Sequence, residues 1–307
     1  MVLKKGVFTL SLDTELSWGT VDKSNKRIKN KFYYENTREV IYSLLNLMEK
    51  YNISATWAIV GHLFLEREEL INSLNENDIR FKNISLWYGR NIIKKIKSSK
   101  VYQEIGCHSF SHMLFTDKDI KKDILTKEIK RCIDEANKMG IKLESFIFPR
   151  NKVGYINELI KGGFETFRGI EPNWYSSYNP LLKKGLHIID QVLAISPPVN
   201  TPKQQGGILN IPASMLYLPM NGFRRYVPLK SRILKSKKGI KRAISEKKVF
   251  HLWFHPYNIA TNKEKLLYGL EVIFKEVDKE RKKGNIEVKT MGEVNKLFKK
   301  RIGLYEN

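Results

Sequence analysis

The residues best suited to chemistry in this chain are two histidines, His108 and His112, in the stretch Gly-Cys-His-Ser-Phe-Ser-His at 106–112. Neutral imidazole nitrogens are the commonest metal ligands in proteins, and two histidines four residues apart on one helical turn can reach a single ion. A catalytic divalent site also needs a third protein ligand, usually a carboxylate, and an open position for water. The spacing therefore predicts half of a metal site, although such pairs also arise by chance.

The missing carboxylate is predicted near the start of the chain, where Asp13 and Glu15 follow the apolar, β-branched run from Val7 to Leu12. A run of this kind is typical of a buried parallel strand. Other polar residues also follow strand-like segments, and these are His62, His108, His112, Arg150 and His255. A parallel α/β barrel brings such residues together at its C-terminal rim. We therefore expect one site at the rim of a barrel.

The types of these residues fit one kind of reaction. Two histidines and one carboxylate would hold a divalent ion, which polarises a carbonyl and lowers the pKa of a bound water. A second carboxylate could act as a general base, and an arginine beside it would keep it ionised. A separate histidine would protonate a leaving amine. The set predicts metal-assisted hydrolysis of an amide.

Four motifs, in this order and at these separations, resemble those of the polysaccharide deacetylases, the NodB-homology group of carbohydrate esterases. They are Ser-Leu-Asp-Thr-Glu at 11–15, His-Ser-Phe-Ser-His at 108–112, Phe-Pro-Arg-Asn at 148–151 and His-Leu-Trp-Phe-His-Pro at 251–256. The residues of these motifs are most similar to those of members that act in bacterial surface-polysaccharide biosynthesis. The resemblance runs from about Phe8 to about Asn258. It implies an α/β fold with a distorted (β/α)7 barrel, a zinc-like divalent metal and removal of an N-acetyl group from a sugar.

The resemblance also implies catalytic roles for individual residues. Asp13 matches the catalytic base, and Arg150 matches the arginine that positions this base. His255 matches the late histidine that acts as general acid. Leu252, in the apolar strand before it, is expected to help enclose the acetyl methyl group.

For the metal, the resemblance implies His108 and His112 as paired ligands. The usual opening motif has two adjacent aspartates, of which the second binds the metal. Here Thr14 separates Asp13 from the next acid, Glu15. Some relatives space their acids as Asp-x-Asp, and by that spacing Glu15 is the third ligand.

Aromatic residues and a further arginine are candidates for substrate binding. Aromatic faces near a guanidinium suit sugar rings and their anionic substituents. The alternative is that the aromatic residues only cover the barrel. The candidates are Trp18, Trp87, Tyr88, Arg168 and Trp174.

The chain is strongly basic, with 55 Lys and Arg against 32 Asp and Glu and a net charge of +23. Such a charge favours anionic partners, unless the lysines only solvate the faces of helices. A predicted helix over Leu229–Glu246 carries most of the dense basic run Lys230–Lys248, which is a candidate contact for an anionic membrane surface. Nucleic acid is not expected, because the run lacks interleaved aromatics and matches no recognition module.

The whole chain of 307 residues is expected to form a single barrel domain over 1–307, because strand and helix patterns alternate without a linker or a repeat. Its two cysteines make no disulfide framework, and the start of the chain shows no apolar signal-peptide region. We therefore expect a cytoplasmic location, with the inner membrane face as the place of any membrane contact.

The sequence thus predicts a metal-dependent deacetylase of an N-acetylated sugar that is carried on a nucleotide or on a lipid diphosphate. Surface-polysaccharide biosynthesis, of O-antigen or capsule, is the expected setting. One alternative is a metal-independent amide hydrolase that uses Asp13 and His255. Another is a non-catalytic protein that binds an acidic glycan or an anionic membrane. The identity of the sugar and the oligomeric state stay open.

Overall fold

The computed structural model describes residues 3–20, 31–73, 81–117 and 120–301. Strands and helices alternate along most of this length. The strands are β1 (Gly6–Thr14), β2 (Thr56–Ile59), β3 (Glu104–Cys107), β4 (Ser145–Phe146), β5 (Thr166–Gly169), β6 (Lys203–Gln205), β7 (Ile208–Pro212), β8 (Met215–Leu216), β9 (Val249–Phe254) and β10 (Ile286–Val288). The helices are α1 (Lys31–Tyr51), α2 (Arg67–Asn72), α3 (Arg90–Lys97), α4 (Lys122–Asn137), α5 (Ile156–Lys161), α6 (Pro180–Val192), α7 (Leu229–Glu246), α8 (Pro256–Ile259), α9 (Lys263–Lys282) and α10 (Met291–Arg301).

The strands form a distorted barrel. Strands β5, β4, β3, β2, β1 and β9 follow one another in the sheet, and each pairs in parallel with the next. Strand β7 pairs with β5, and β8, only two residues further along the chain, pairs with β9. The chain between β7 and β8 therefore connects the two sides of this row of strands. The predicted α/β class with a distorted (β/α)7 barrel is confirmed.

Both faces of β1 are buried, but they differ in polarity: Phe8, Leu10 and Leu12 on one face are apolar, while Thr9, Ser11 and Asp13 on the other are polar. Val7 packs inside the barrel with Val249 of β9 and with α10. Leu10 belongs to the larger apolar cluster on the opposite face of the strand, under the surrounding helices. Because side chains alternate along a strand, Ser11 and Asp13 lie on the same inner face as Val7.

Helix α10 closes the barrel at the N-terminal ends of the strands. Its first turn is held by a capping box, in which the Thr290 N–H donates to Glu293 and the Glu293 N–H donates to the Thr290 hydroxyl. The buried Glu104 of β3 accepts a further bond from the Gly292 N–H, at 3.0 Å. This end of the barrel is therefore sealed, and the opposite rim is the one available for chemistry.

The helix predicted over Leu229–Glu246 is present with these bounds as α7, but its cations do not form one exposed face. Arg232 is fully buried and donates to backbone carbonyls of the 218–227 segment. Lys235 is only 3% exposed and pairs with the buried Asp190 of α6. Arg232 and Lys235 therefore hold α7 in place and are not available to a partner, and the contact of Lys230–Lys248 with an anionic membrane surface stays a prediction. Of the helices described, none combines the length and apolar character needed to cross a bilayer.

Candidate active site

The two acids of the opening motif reach the rim together because of strand alternation. Asp13 is the eighth residue of β1, and Glu15 follows the last residue of the strand, so that their side chains lie on one side and that of Thr14 lies on the other. Gly19 leaves room for the Glu15 carboxylate, since a Cβ at this position would stand 1.6 Å from Oε2. The position of the Glu15 carboxylate therefore requires a glycine at residue 19 in the turn after β1.

The two histidines come from the end of β3 and the loop that follows it. His108 directly follows β3, but the segment to His112 is not helical, which corrects the expectation of a helical turn. Left-handed backbone at Ser109 (φ 57°) and His112 (φ 62°) turns the loop back instead. Glu128 of α4 fixes this loop by accepting the backbone N–H groups of residues 110 and 111, at 3.1 and 2.9 Å.

One oxygen of Glu15 stands at the centre of the cluster. Its Oε1 lies 3.0 Å from Nε2 of His108, 3.2 Å from Nε2 of His112 and 3.3 Å from Nε2 of His255. The first two histidines and Glu15 are buried. Nδ1 of His108 lies 2.8 Å from the carbonyl oxygen of Ile147. Because a carbonyl only accepts, Nδ1 carries the hydrogen, and in neutral His108 the lone pair of Nε2 points at the Glu15 carboxylate.

This donor set fits a divalent metal ion. The ligand atoms of Glu15, His108 and His112 all lie within 4.8 Å of one another. Tetrahedral ligands held about 2.0–2.2 Å from zinc stand roughly 3.3 Å apart, close to the oxygen–nitrogen distances found here. Two acceptors that face each other at 3.0 Å require a cation or a proton between them, and a carbonyl behind a ligating imidazole is a common way of fixing its tautomer. The three side chains are therefore the residues that would hold the ion.

Asp13 is held by an arginine, which is Arg168 of β5. The Arg168 guanidinium donates to both carboxylate oxygens, at 2.6 and 2.7 Å, and is fully buried. It also donates to Ser11 and Asn151, at 3.0 and 2.7 Å. Arg150 is exposed, on a turn where its own φ is 54°. Arg168, expected to bind substrate, thus takes the position beside the base that was predicted for Arg150.

The charged groups of the site shift the pKa values of one another. Burial acts to raise the pKa of Asp13, but Arg168 and His255 outweigh it, so that this pKa lies below its usual value. Burial likewise opposes ionisation of Glu15, but His255 and His112 hold its pKa well below the usual range. For His255, burial favours the neutral ring, yet Glu15 and Asp13 raise its pKa above the usual value. Two ionised acids and a protonatable histidine therefore share one pocket at neutral pH.

Beneath the acids lies a buried polar layer that the sequence analysis did not identify. Nε2 of His251 lies 2.8 Å from the Ser11 hydroxyl, and burial followed by the charge of Arg168 lowers the pKa of His251 to about 3. The Arg168 guanidinium lies 4.3 Å from the centre of the Trp253 ring. One face of β9 and its end carry His251, Trp253 and His255. Their spacing of two residues in the sequence could have predicted that all three lie on the side of the active site.

Leu252 lies on the other face of β9. It pairs in register with Leu10 and belongs with it to the apolar cluster beneath the helices. The expectation that Leu252 encloses the acetyl methyl is therefore corrected, since strand alternation directs it away from Asp13. Trp253 is the residue of this strand that borders the pocket.

The aromatic candidates divide into two groups. Trp18 and Trp87 are buried, the Trp18 N–H donates to the Trp87 carbonyl at 2.8 Å, and the Trp18 ring stacks on His62 with centroids 3.9 Å apart. Trp18 and Trp87, with the partly buried Tyr88, therefore pack next to Glu15 with little of their aromatic surface exposed. Trp174 is 49% exposed, and its N–H donates to Asp190 at 2.9 Å. Trp174 is thus the candidate with an aromatic face open to a ligand.

Comparison with solved structures agrees with this fold. A putative polysaccharide deacetylase from Mycobacterium smegmatis matches with a TM-score of 0.64 and 13% identity over 96% of this chain and 92% of its own. A probable polysaccharide deacetylase from Pseudomonas aeruginosa PAO1 matches with a TM-score of 0.62 and 11% identity, covering 96% and 90%. The Puue allantoinase matches with a TM-score of 0.61 and 11% identity, covering 95% and 89%. No protein-family model and no curated protein matches the sequence. The chain has the polysaccharide deacetylase fold, as its motifs implied.

Proposed function

We propose that this protein is a metal-dependent hydrolase that removes the acetyl group from an N-acetylated sugar. The observation that carries the proposal is the position of Glu15 Oε1, which stands within 3.3 Å of three imidazole nitrogens, beside an ionised Asp13. A metal-type donor set, a base and a protonatable histidine meet in one buried pocket. Surface-polysaccharide biosynthesis is the proposed setting, because the residues of the sequence motifs resemble those of family members with that role.

The chain's own residues supply positioning and proton transfer. When bound, a divalent ion, with zinc expected, would supply a Lewis acid that polarises the acetyl carbonyl and lowers the pKa of a water. Asp13 takes the proton of the attacking water, and Arg168 keeps this carboxylate ionised and oriented. His255 gives a proton to the nitrogen as the carbon–nitrogen bond breaks. A carbon–oxygen bond forms to the water oxygen, and the products are acetate and an amine.

Two of the structural neighbours are described as polysaccharide deacetylases, which supports deacetylation as the reaction class. The third is an allantoinase. The exposed Trp174 supports a sugar as the substrate, because aromatic faces stack on sugar rings.

Acetate release from an N-acetylated sugar, followed with and without chelator, tests the proposal. We expect turnover that stops on chelation and returns with zinc or cobalt. Asp13→Asn and His255→Gln should each retain bound metal and lower kcat by about 10²–10⁴. Activity that survives exhaustive chelation would favour the metal-independent amide hydrolase. Metal binding without acetate release from any N-acetylated sugar would favour the non-catalytic protein.

A further inference from the structure

An open groove lies between the N-terminal parts of α7 and α9. It has a volume of about 860 Å³, within the range of roughly 300–1,000 Å³ that is usual for small-molecule sites. Most of its lining is apolar, and three cations stand among the described residues that line it, without an acid. The apolar lining includes Met220, Val227, Leu229, Ile233 and Val272, and the cations are Arg225, Lys230 and Lys265.

The groove belongs to the same rim as the candidate active site. Helices α7 and α9 both begin at the C-terminal ends of the strands, because each runs antiparallel to its neighbouring strand in a βα unit. A chain of contacts joins the two sites. The N–H of Met220 donates to the Thr261 hydroxyl at 2.8 Å, and this hydroxyl donates to the Asn258 carbonyl at 2.5 Å. Nδ2 of Asn258 lies 3.3 Å from Nδ1 of His255.

Exposed aromatic side chains stand at the mouth of the groove. Tyr226 is 66% exposed and Tyr268 is 60% exposed, and both line the groove. Phe223, in the same short turn as Tyr226, is 82% exposed. The Arg225 guanidinium lies 5.0 Å from the centre of the Tyr226 ring. Apolar rings beside guanidinium and ammonium groups are suited to the boundary between lipid chains and their phosphate head groups.

We propose that this groove binds the aliphatic chain of a sugar substrate that is linked to a lipid through phosphate. The inference rests on the proposed function and narrows its substrate class. The apolar lining accepts the chain, the three cations face the phosphate, and the adjoining rim places the sugar near His255. A nucleotide carrier has no aliphatic chain, so it would make no contact with the apolar lining of the groove.

Direct binding of dodecyl phosphate, measured by calorimetry below its micelle concentration, tests the groove without turnover. Dodecyl maltoside serves as a neutral chain and inorganic diphosphate as an anion without a chain. We expect dodecyl phosphate to bind at least about tenfold more tightly than either, because only it combines burial of methylene groups with charge. Equal binding of dodecyl maltoside would overturn the charge complementarity, and equal binding of diphosphate would overturn the role of the apolar lining.

Substitutions place the binding in this groove. Lys265→Glu and Val272→Asp should each weaken binding of dodecyl phosphate by about tenfold or more, through lost charge and lost apolar lining respectively. Lys275→Glu is the matched control, because Lys275 is exposed on the same helix and does not line the groove. Circular dichroism verifies that each variant is folded. Unchanged binding in both groove variants, or an equal loss in Lys275→Glu, would overturn the proposal.

The binding experiment and the acetate-release experiment can fail independently of each other. Binding that behaves as expected, together with no acetate release from any N-acetylated sugar, would overturn the deacetylase and leave the groove established. Acetate release without selective binding of dodecyl phosphate would overturn the groove and leave the deacetylase standing.

Discussion

Replacing Arg168 by alanine should destabilise the protein far more than the same change at Arg150. The Arg168 guanidinium and the Asp13 carboxylate are 0% and 3% exposed and share two hydrogen bonds. Removal of one partner of a buried ion pair leaves an uncompensated charge and costs about 3–5 kcal/mol in the free energy of unfolding. Arg150 is exposed, so its removal leaves no buried charge and should cost less.

The loss at Arg168 should depend on pH and on Asp13. In the wild type the pKa of Asp13 is below its ordinary value, so the stability from this group is present above about pH 4 and is lost as the pH falls through the folded-state pKa. The cost of Arg168→Ala should therefore be largest at neutral pH and smaller near pH 4, where Asp13 can take up a proton. In an Asp13→Asn background the same change should cost less, by a coupling energy of about 0.5–3 kcal/mol.

Urea unfolding at pH 7 and pH 4 measures these differences, with Arg150→Ala as the control. Acetate release, normalised to folded protein, should fall further in Arg168→Ala than in Arg150→Ala. Equal destabilisation by the two single changes would refute the reasoning, and so would an Arg168→Ala cost that is the same with and without the Asp13 carboxylate.

Two further predictions concern the shape and the charge of the pocket. Gly19→Ala should weaken zinc binding by about 10–100-fold in a competition assay, because the new methyl group displaces the Glu15 carboxylate; unchanged affinity would contradict the assigned contact. In the metal-free protein, His255 should titrate above 6.5 by NMR and at lower pH in Asp13→Asn, because the carboxylates raise its pKa. The stability from this raised pKa should be present at low pH and be lost as the pH rises through it, and a midpoint at or below 6.5 would count against the account.

The position of the candidate site followed from the sequence because a parallel barrel leaves few choices. Polar residues that end its strands must meet at one rim, and the structure does bring Asp13, Glu15, His108, His112 and His255 together. Helix α7 also has the predicted bounds, since it is a long run with a helical period.

The remaining details depend on tertiary geometry. Which guanidinium reaches Asp13 is decided by the inward face of β5, and a motif match alone could not separate Arg168 from Arg150. The turn that replaces a helix after His108 depends on left-handed backbone and on Glu128 of α4, which is distant in sequence. The misassignment of Leu252 was avoidable, since strand alternation alone separates it from His255.

The metal content of the purified protein is the most direct test of the central claim, which is that Glu15, His108 and His112 hold one divalent ion. Mass spectrometry after zinc loading and desalting should find about one zinc per chain in the wild type and in His187→Ala, whose imidazole bonds to Tyr175 outside the site. In His108→Ala the zinc should be lost while the fold is kept. No zinc in the wild type, or equal zinc in His108→Ala, would contradict the account.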